Sequence, residues 1–202
     1  MHFMHTFSGQ RIDLPEPKPG QIKIKDVAHH LSRLPRFCGA TKTGWNVAAH
    51  SLHVAHLAAR DGADDALILA ALLHDGHEFL LSDIPSPIKA LIQADSPDGY
   101  GPLKRLENKL QRATLMQLQG HDAFYAYEKT IKRWDLISLA TERRDLMHPL
   151  AQATYWGVLE GITPDTKTTG LFMVNADFTA DGWADLYEKT YLDLLNGKGV
   201  RT

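Results

Sequence analysis

Cysteine is almost absent: Cys38 is the only one in 202 residues, which excludes an internal disulfide framework and suits a reducing cytoplasm. No apolar stretch approaches the roughly 18 residues a membrane-crossing helix needs, so no membrane partner is expected. Met1-His2-Phe3-Met4-His5 lacks the basic region and apolar core of a secretory signal, and the chain reads as cytoplasmic. A net charge of −2 gives no electrostatic reason to bind a nucleic acid polymer or an anionic membrane, although a single nucleotide needs only a local basic cluster. Glycine-rich phosphate loops of either common pattern are missing, as are C-x-x-C and G-x-S-x-G, which argues against P-loop, dinucleotide and serine-hydrolase chemistry. His77-Glu78-Phe79-Leu80-Leu81 carries Leu where a zinc-protease helix needs its second His. Strand signals are few, so the expected class is all-α.

What is present suits one domain spanning 1–202, with 44% hydrophobic and 23% charged residues. Residues 1–22 are rich in Gly and Pro and read as an arm with a short strand pair around 6–12. Val27 and Leu31 begin a helical pattern that breaks at Pro35, and Asn46 is placed to cap a helix running through Leu57. The run 66–81 is apolar almost all round until His74 and predicts one central helix. Pro85 and Pro87 stop it and start a short one. A polar loop is expected over 95–102, with amphipathic helices through Leu103, Leu106, Leu110 and Leu118 and over 130–147. Residues 161–181 read as a surface loop, and Trp183, Leu186, Tyr187, Thr190, Tyr191 and Leu194 mark a final helix.

The chemistry concentrates at His74-Asp75, an adjacent imidazole and carboxylate at the end of an apolar run. Buried there, both need partners, and a divalent cation suits both. His50 upstream and Asp135 downstream belong to other predicted helices, so a site of His50, His74, Asp75 and Asp135 would lie between helices in a bundle core. Neighbours on a helix diverge by about 100°, so His74 and Asp75 could meet one ion only from the side. His53 and His56 follow His50 at three-residue steps, and spacing alone allows either as a ligand. Glu78 falls one turn after His74 and Asp83 just past the helix end, where carboxylates can take or return a proton. Arg33, Arg36, Lys42 and Lys89 could supply positive charge for phosphate.

The order His50, His74-Asp75, Asp135 resembles the HD-domain metal-dependent phosphohydrolases. His30-Leu31-Ser32-Arg33, Arg36-Phe37, Val47-Ala48-Ala49-His50-Ser51, His74-Asp75-x-x-Glu78 and Asp83-Ile84-Pro85-Ser86-Pro87-Ile88-Lys89 are similar to the subgroup of bacterial 5′-deoxynucleotidases and phage dATP triphosphohydrolases. Thr141-Glu142-Arg143-Arg144-Asp145-Leu146-Met147 resembles the phage type. The likeness covers residues 24–148. It implies an HD-domain helical bundle with a short irregular or β-hairpin arm, forming a homo-oligomer. A divalent ion (Zn, Co, Mn or Mg) would be held by His50, His74, Asp75 and Asp135. Glu78 would be the catalytic acid/base and Asp83 a supporting carboxylate. Arg36 would contact phosphate or anchor the carboxylates, and Lys89 would lie near phosphate. Phe37 stands where the deoxynucleotidases carry a Trp associated with reading the sugar, so the sugar is expected beside Phe37 without strict deoxyribose selectivity. The implied reaction is hydrolysis of the 5′ oxygen–phosphorus bond of a deoxynucleotide. It would release phosphate from a monophosphate or triphosphate from a dATP-like substrate. Two rivals stand beside it. A catalytically idle HD module binding nucleotide in a regulatory role would be expected to lack a ligand or Glu78, and a purely structural helical protein leaves the buried polar set unexplained.

Overall fold

Ten helices follow a small hairpin among the residues described by the computed structural model, which are 2–94, 96, 100–166 and 178–200. Strands β1 (Phe3–His5) and β2 (Arg11–Asp13) pair antiparallel with Met4 opposite Ile12, so the strands flank the expected span and its middle forms the turn. Asp26 ties the hairpin down: fully buried, it accepts hydrogen bonds from Thr6 Oγ1, Ser8 N and Ser8 Oγ, each at 2.8 Å. The helices are α1 (Ile24–Leu31), α2 (Val47–Arg60), α3 (Asp65–Leu72), α4 (Glu78–Leu81), α5 (Ser86–Gln93), α6 (Pro102–Gln117), α7 (His121–Ala126), α8 (Glu128–Leu146), α9 (Pro149–Ala153) and α10 (Ala180–Leu195). The fold is mostly helical, as expected, and none of the described helices is long and apolar enough to cross a membrane.

α2 is the centre of the packing, against α3, α8 and α10. Asn46 caps it by accepting from Ala49 N at 2.9 Å, and Val47, Val54, Leu57 and Ala58 form its buried face. Each fully buried Leu or Val of this kind contributes roughly 1.5–3 kcal/mol. α10 closes the core with Trp183, Tyr187, Tyr191 and Leu194, and Tyr187 donates its hydroxyl to Leu72 O at 3.0 Å.

The expected central helix over 66–81 is instead two helices. α3 ends at Leu72, a turn occupies 73–77, and α4 begins at Glu78. His74 Nδ1 donates to Ala71 O at 2.8 Å and Gly76 N to Leu73 O at 2.9 Å, which closes the turn. A Cβ at Gly76 would stand 3.0 Å from Leu73 O and 3.2 Å from Thr114 Cγ2, so the turn meets α6 where only glycine fits. The break removes the 100° divergence of a continuous helix and turns His74 and Asp75 toward one place. Pro87 sits in the first turn of α5 as expected, whereas Pro102 opens α6 rather than ending a loop. The expected loop over 161–181 is non-helical at 161–166 and ends as α10 starts, while 95, 97–99 and 167–177 lie outside the described residues. α7, α9 and two 3-10 turns, Arg36–Gly39 and Gly157–Leu159, carry no apolar period long enough to read.

In the first of those turns Phe37 and Cys38 take φ of 53° and 52°. A side chain in this left-handed region costs roughly 1–2 kcal/mol. Cys38 is exposed, so Cys38→Gly removes strain without removing a buried contact. Extra freedom in the unfolded chain offsets about 0.4–1 kcal/mol of the gain. A net gain of about 0.5–1 kcal/mol should raise the melting temperature by roughly 1–4 °C, and a lower value by calorimetry would contradict it.

Candidate metal centre

Three elements converge on one point. His50 projects from the second turn of α2, His74 and Asp75 come from the turn after α3, and Asp135 from the middle of α8. One donor atom from each of His50, His74 and Asp135 lies within 4.8 Å of the other two. Asp135 Oδ1 is 3.1 Å from His50 Nε2 and 3.9 Å from His74 Nε2. Asp75 Oδ2 borders both imidazoles, 3.1 Å from His74 Nε2 and 3.7 Å from His50 Nε2.

The nitrogens show what the cluster suits. His50 Nδ1 faces Glu142 Oε1 at 2.7 Å and His74 Nδ1 faces Ala71 O at 2.8 Å, so each Nδ1 carries a hydrogen and each ring turns its Nε2 toward the carboxylates. Both Nε2 atoms are buried, and each meets a carboxylate oxygen at 3.1 Å, Asp135 for His50 and Asp75 for His74. His50, His74 and Asp135 form a donor set that can hold a divalent cation, and Asp75 borders it. Burial opposes the charge on Asp135, but His50, His74 and Lys132 outweigh it and hold this carboxyl well below the usual range. Asp75 is likewise lowered against burial, chiefly by His74.

Beside the cluster lies a cavity of about 430 Å³, within the range of small-molecule sites. His74, Asp75 and Asp135 form one wall, with Glu78, Lys89 and Glu107 near them and Lys104, Gln111, Phe124 and Lys132 among the rest. Glu78 is buried and its Oε2 makes no hydrogen bond. Burial, then the charges of Asp75 and Asp83, push its carboxyl well above the ordinary value, so it favours holding a proton. Asp83 is raised too, mainly by burial. Lys89 Nζ is 2.8 Å from Glu107 Oε1 and 3.9 Å from Glu78 Oε1; burial alone would lower its pKa, but the Glu107 hydrogen bond and the Glu78 charge raise it. His77 also lines the cavity, and burial takes its imidazole down to about 4.

Other expected residues lie elsewhere. Arg36 is buried against Glu142, with Nε at 3.0 Å and the terminal nitrogen at 2.9 Å from Oε2, so it anchors a carboxylate, and its charge also acts on Asp83, Asp75 and Asp135. Phe37 packs toward Trp156, ring centroids 6.2 Å apart, and is not on the cavity wall. Arg33 pairs with Asp181, and Lys42 reaches Asp145 O at 3.5 Å. His53 turns to Ser138 Oγ at 2.8 Å, and neither it nor His56 joins the donor group. Glu142 was not read as a site residue. Fully buried, it faces Arg36, His50 and Trp45; burial would raise its pKa, but Arg36 and His50 take it down to about 2. The signal was legible: Asp135, Ser138 and Glu142 stand at i, i+3 and i+7, a polar stripe on one face of α8.

The chain is 36% identical over 162 residues to the uncharacterized protein YfdR of Escherichia coli (strain K12), covering 80% of this chain and 81% of that one. The chain belongs to the YfdR family. A second relative, the uncharacterized protein RCAP_rcc00048 of Rhodobacter capsulatus, is 47% identical over 95 residues, or 45% of this chain and 48% of its own length. No family model matches the chain.

Proposed function

We propose that this YfdR-family chain is a metal-dependent phosphohydrolase of the HD-domain type. It would hydrolyse the 5′ oxygen–phosphorus bond of a deoxynucleotide to give the deoxynucleoside and phosphate or triphosphate. The observation that carries the reading is the pair of buried Nε2 atoms, on His50 and His74, facing Asp75 and Asp135 at the wall of a cavity that also holds Glu78.

His50, His74, Asp75 and Asp135 would hold the ion, which when bound supplies charge neutralisation for the phosphoryl group and a more acidic water. Lys89, held between Glu78 and Glu107, is placed to orient a phosphate oxygen in the cavity. Glu78 holds its proton through burial and the neighbouring carboxylates, and so can pass it to the departing 5′ oxygen. Asp83 adds to that negative field. All four ligands and Glu78 are kept, contrary to what an idle nucleotide-binding module predicts. A purely structural role gives no reason to gather two buried imidazoles against two carboxylates at the edge of a cavity.

Monophosphate and triphosphate substrates share the bond to be cut, so one experiment covers both. Reactions of the metal-supplemented protein with dAMP, dATP, AMP and ATP are separated by chromatography. Free deoxynucleoside is expected, with phosphate from dAMP or triphosphate from dATP, and faster turnover of the deoxy forms. Stepwise loss of single phosphates, with dADP appearing first, would overturn the bond assignment.

A further inference from the structure

Glu142 divides its two oxygens between different duties. Oε2 accepts both Arg36 contacts, at 3.0 and 2.9 Å, while Oε1 accepts Trp45 Nε1 at 2.9 Å and faces His50 Nδ1 at 2.7 Å. An ionised carboxylate only accepts, so the short contact to Nδ1 requires the hydrogen on that nitrogen. His50 then presents Nε2 to Asp135 and Asp75, 3.1 and 3.7 Å away. His74 reaches the same tautomer through a backbone carbonyl, which no side-chain substitution alters directly. The two imidazoles are therefore set differently: one by the turn itself, the other by a residue 92 positions away in sequence.

We propose that Glu142 is a positioning residue of the metal centre, fixing the tautomer and ring direction of His50, and that Arg36 acts by holding Glu142 rather than by gripping phosphate. This rests on the metal centre proposed above. Trp45 and Arg36 leave the carboxylate one orientation, with Oε1 toward the imidazole. Ser138 Oγ is a competing acceptor, 3.1 Å from His50 Nδ1, but it also meets His53 Nδ1 at 2.8 Å and Glu142 Oε1 at 3.4 Å. The carboxylate is closer and carries the charge, and outer partners of this kind typically change metal affinity about 10–100-fold.

The full-length chain, stripped with chelator, is titrated with cobalt(II) and followed by its visible absorption. Glu142→Gln keeps size but loses the charge and is expected to bind cobalt about 10–100-fold more weakly. Because the single change leaves Arg36 buried without its partner, Arg36→Met with Glu142→Gln is measured alongside and should show the same weakening on a helical fold verified by circular dichroism. Ser138→Ala should bind as the wild type does. Nitrogen-15 spectra of the metal-free proteins should show hydrogen on His50 Nδ1 in the wild type and a changed balance between the two ring nitrogens in Glu142→Gln but not in Ser138→Ala, a pattern that a purely structural Glu142 would not produce. Undiminished affinity in both Glu142 variants, with binding lost in Asp135→Ala, overturns the positioning role while leaving the metal centre standing. A larger loss in Ser138→Ala than in Glu142→Gln makes Ser138 the acceptor and also overturns it. Wild type that takes up no cobalt overturns the metal centre itself.

Discussion

Asp135→Ala is expected to leave the purified protein without its divalent ion and without turnover. Asp135 reaches both imidazoles, at 3.1 and 3.9 Å, from a helix that supplies no other member of the cluster, and its other oxygen is held by Lys132 at 2.5 Å. Alanine leaves two nitrogen donors and Asp75, with an open side where α8 faced the cluster. Binding that favours only the folded state stabilises by about 2.7 kcal/mol at a hundredfold excess over Kd. For a domain of this size that corresponds to a rise in melting temperature of roughly 5–11 °C. Wild type should show such a rise on adding metal after chelation, and Asp135→Ala should show almost none. The stripped variant should melt close to the stripped wild type, because Lys132, with its side chain 61% exposed, can return to water. Elemental analysis and paired melts decide it; unchanged metal content in the variant would sink the ligand assignment.

The sequence was most informative where a local rule governs one residue. Asn46 before a helical period, Pro87 in a first turn and the spacing of Trp183, Tyr187, Tyr191 and Leu194 all act within a turn or two, and each element formed where its signal lay. The break at 73–77 was less legible because the run is apolar on every side, so no periodicity falters there. The turn there is closed by His74 Nδ1 on Ala71 O and Gly76 N on Leu73 O, and its Gly76 stands against Thr114 of the distant α6. The candidate ligands could be read because imidazole and carboxylate are unusual in apolar company. Choosing His50 over His53 needed α8 in place, since both are fully buried on α2 and it is Ser138 of α8 that His53 meets. The Arg36–Glu142 contact spans 106 positions, and no local pattern announces it. Thus Arg36 could be placed near the chemistry from sequence, but its partner could not.

Glu78→Gln should separate proton transfer from metal binding. Glu78 is not among the converging donors, so the variant should keep its ion content and fold. Removing a positioned acid–base group typically costs about 10²–10⁴-fold in rate, and turnover should fall by that much with KM little changed. Stability offers an independent reading in chelator. Glu78 has a folded pKa above its ordinary value of 4.5, through burial and then Asp75 and Asp83, so the folded chain binds more protons than the unfolded one as pH rises past that value. Stability must then fall with rising pH in this window, because the slope follows protons bound in the unfolded state minus those in the folded state. Glutamine has no charge to bury, so the variant should lose this decline and, near neutral pH, melt no lower than wild type. A buried group that hinders folding and is nonetheless required for turnover is what a proton donor tuned by its surroundings predicts. Near-native kcat in Glu78→Gln would move the proton-transfer role elsewhere, with Asp83, also raised by burial, the next group to replace.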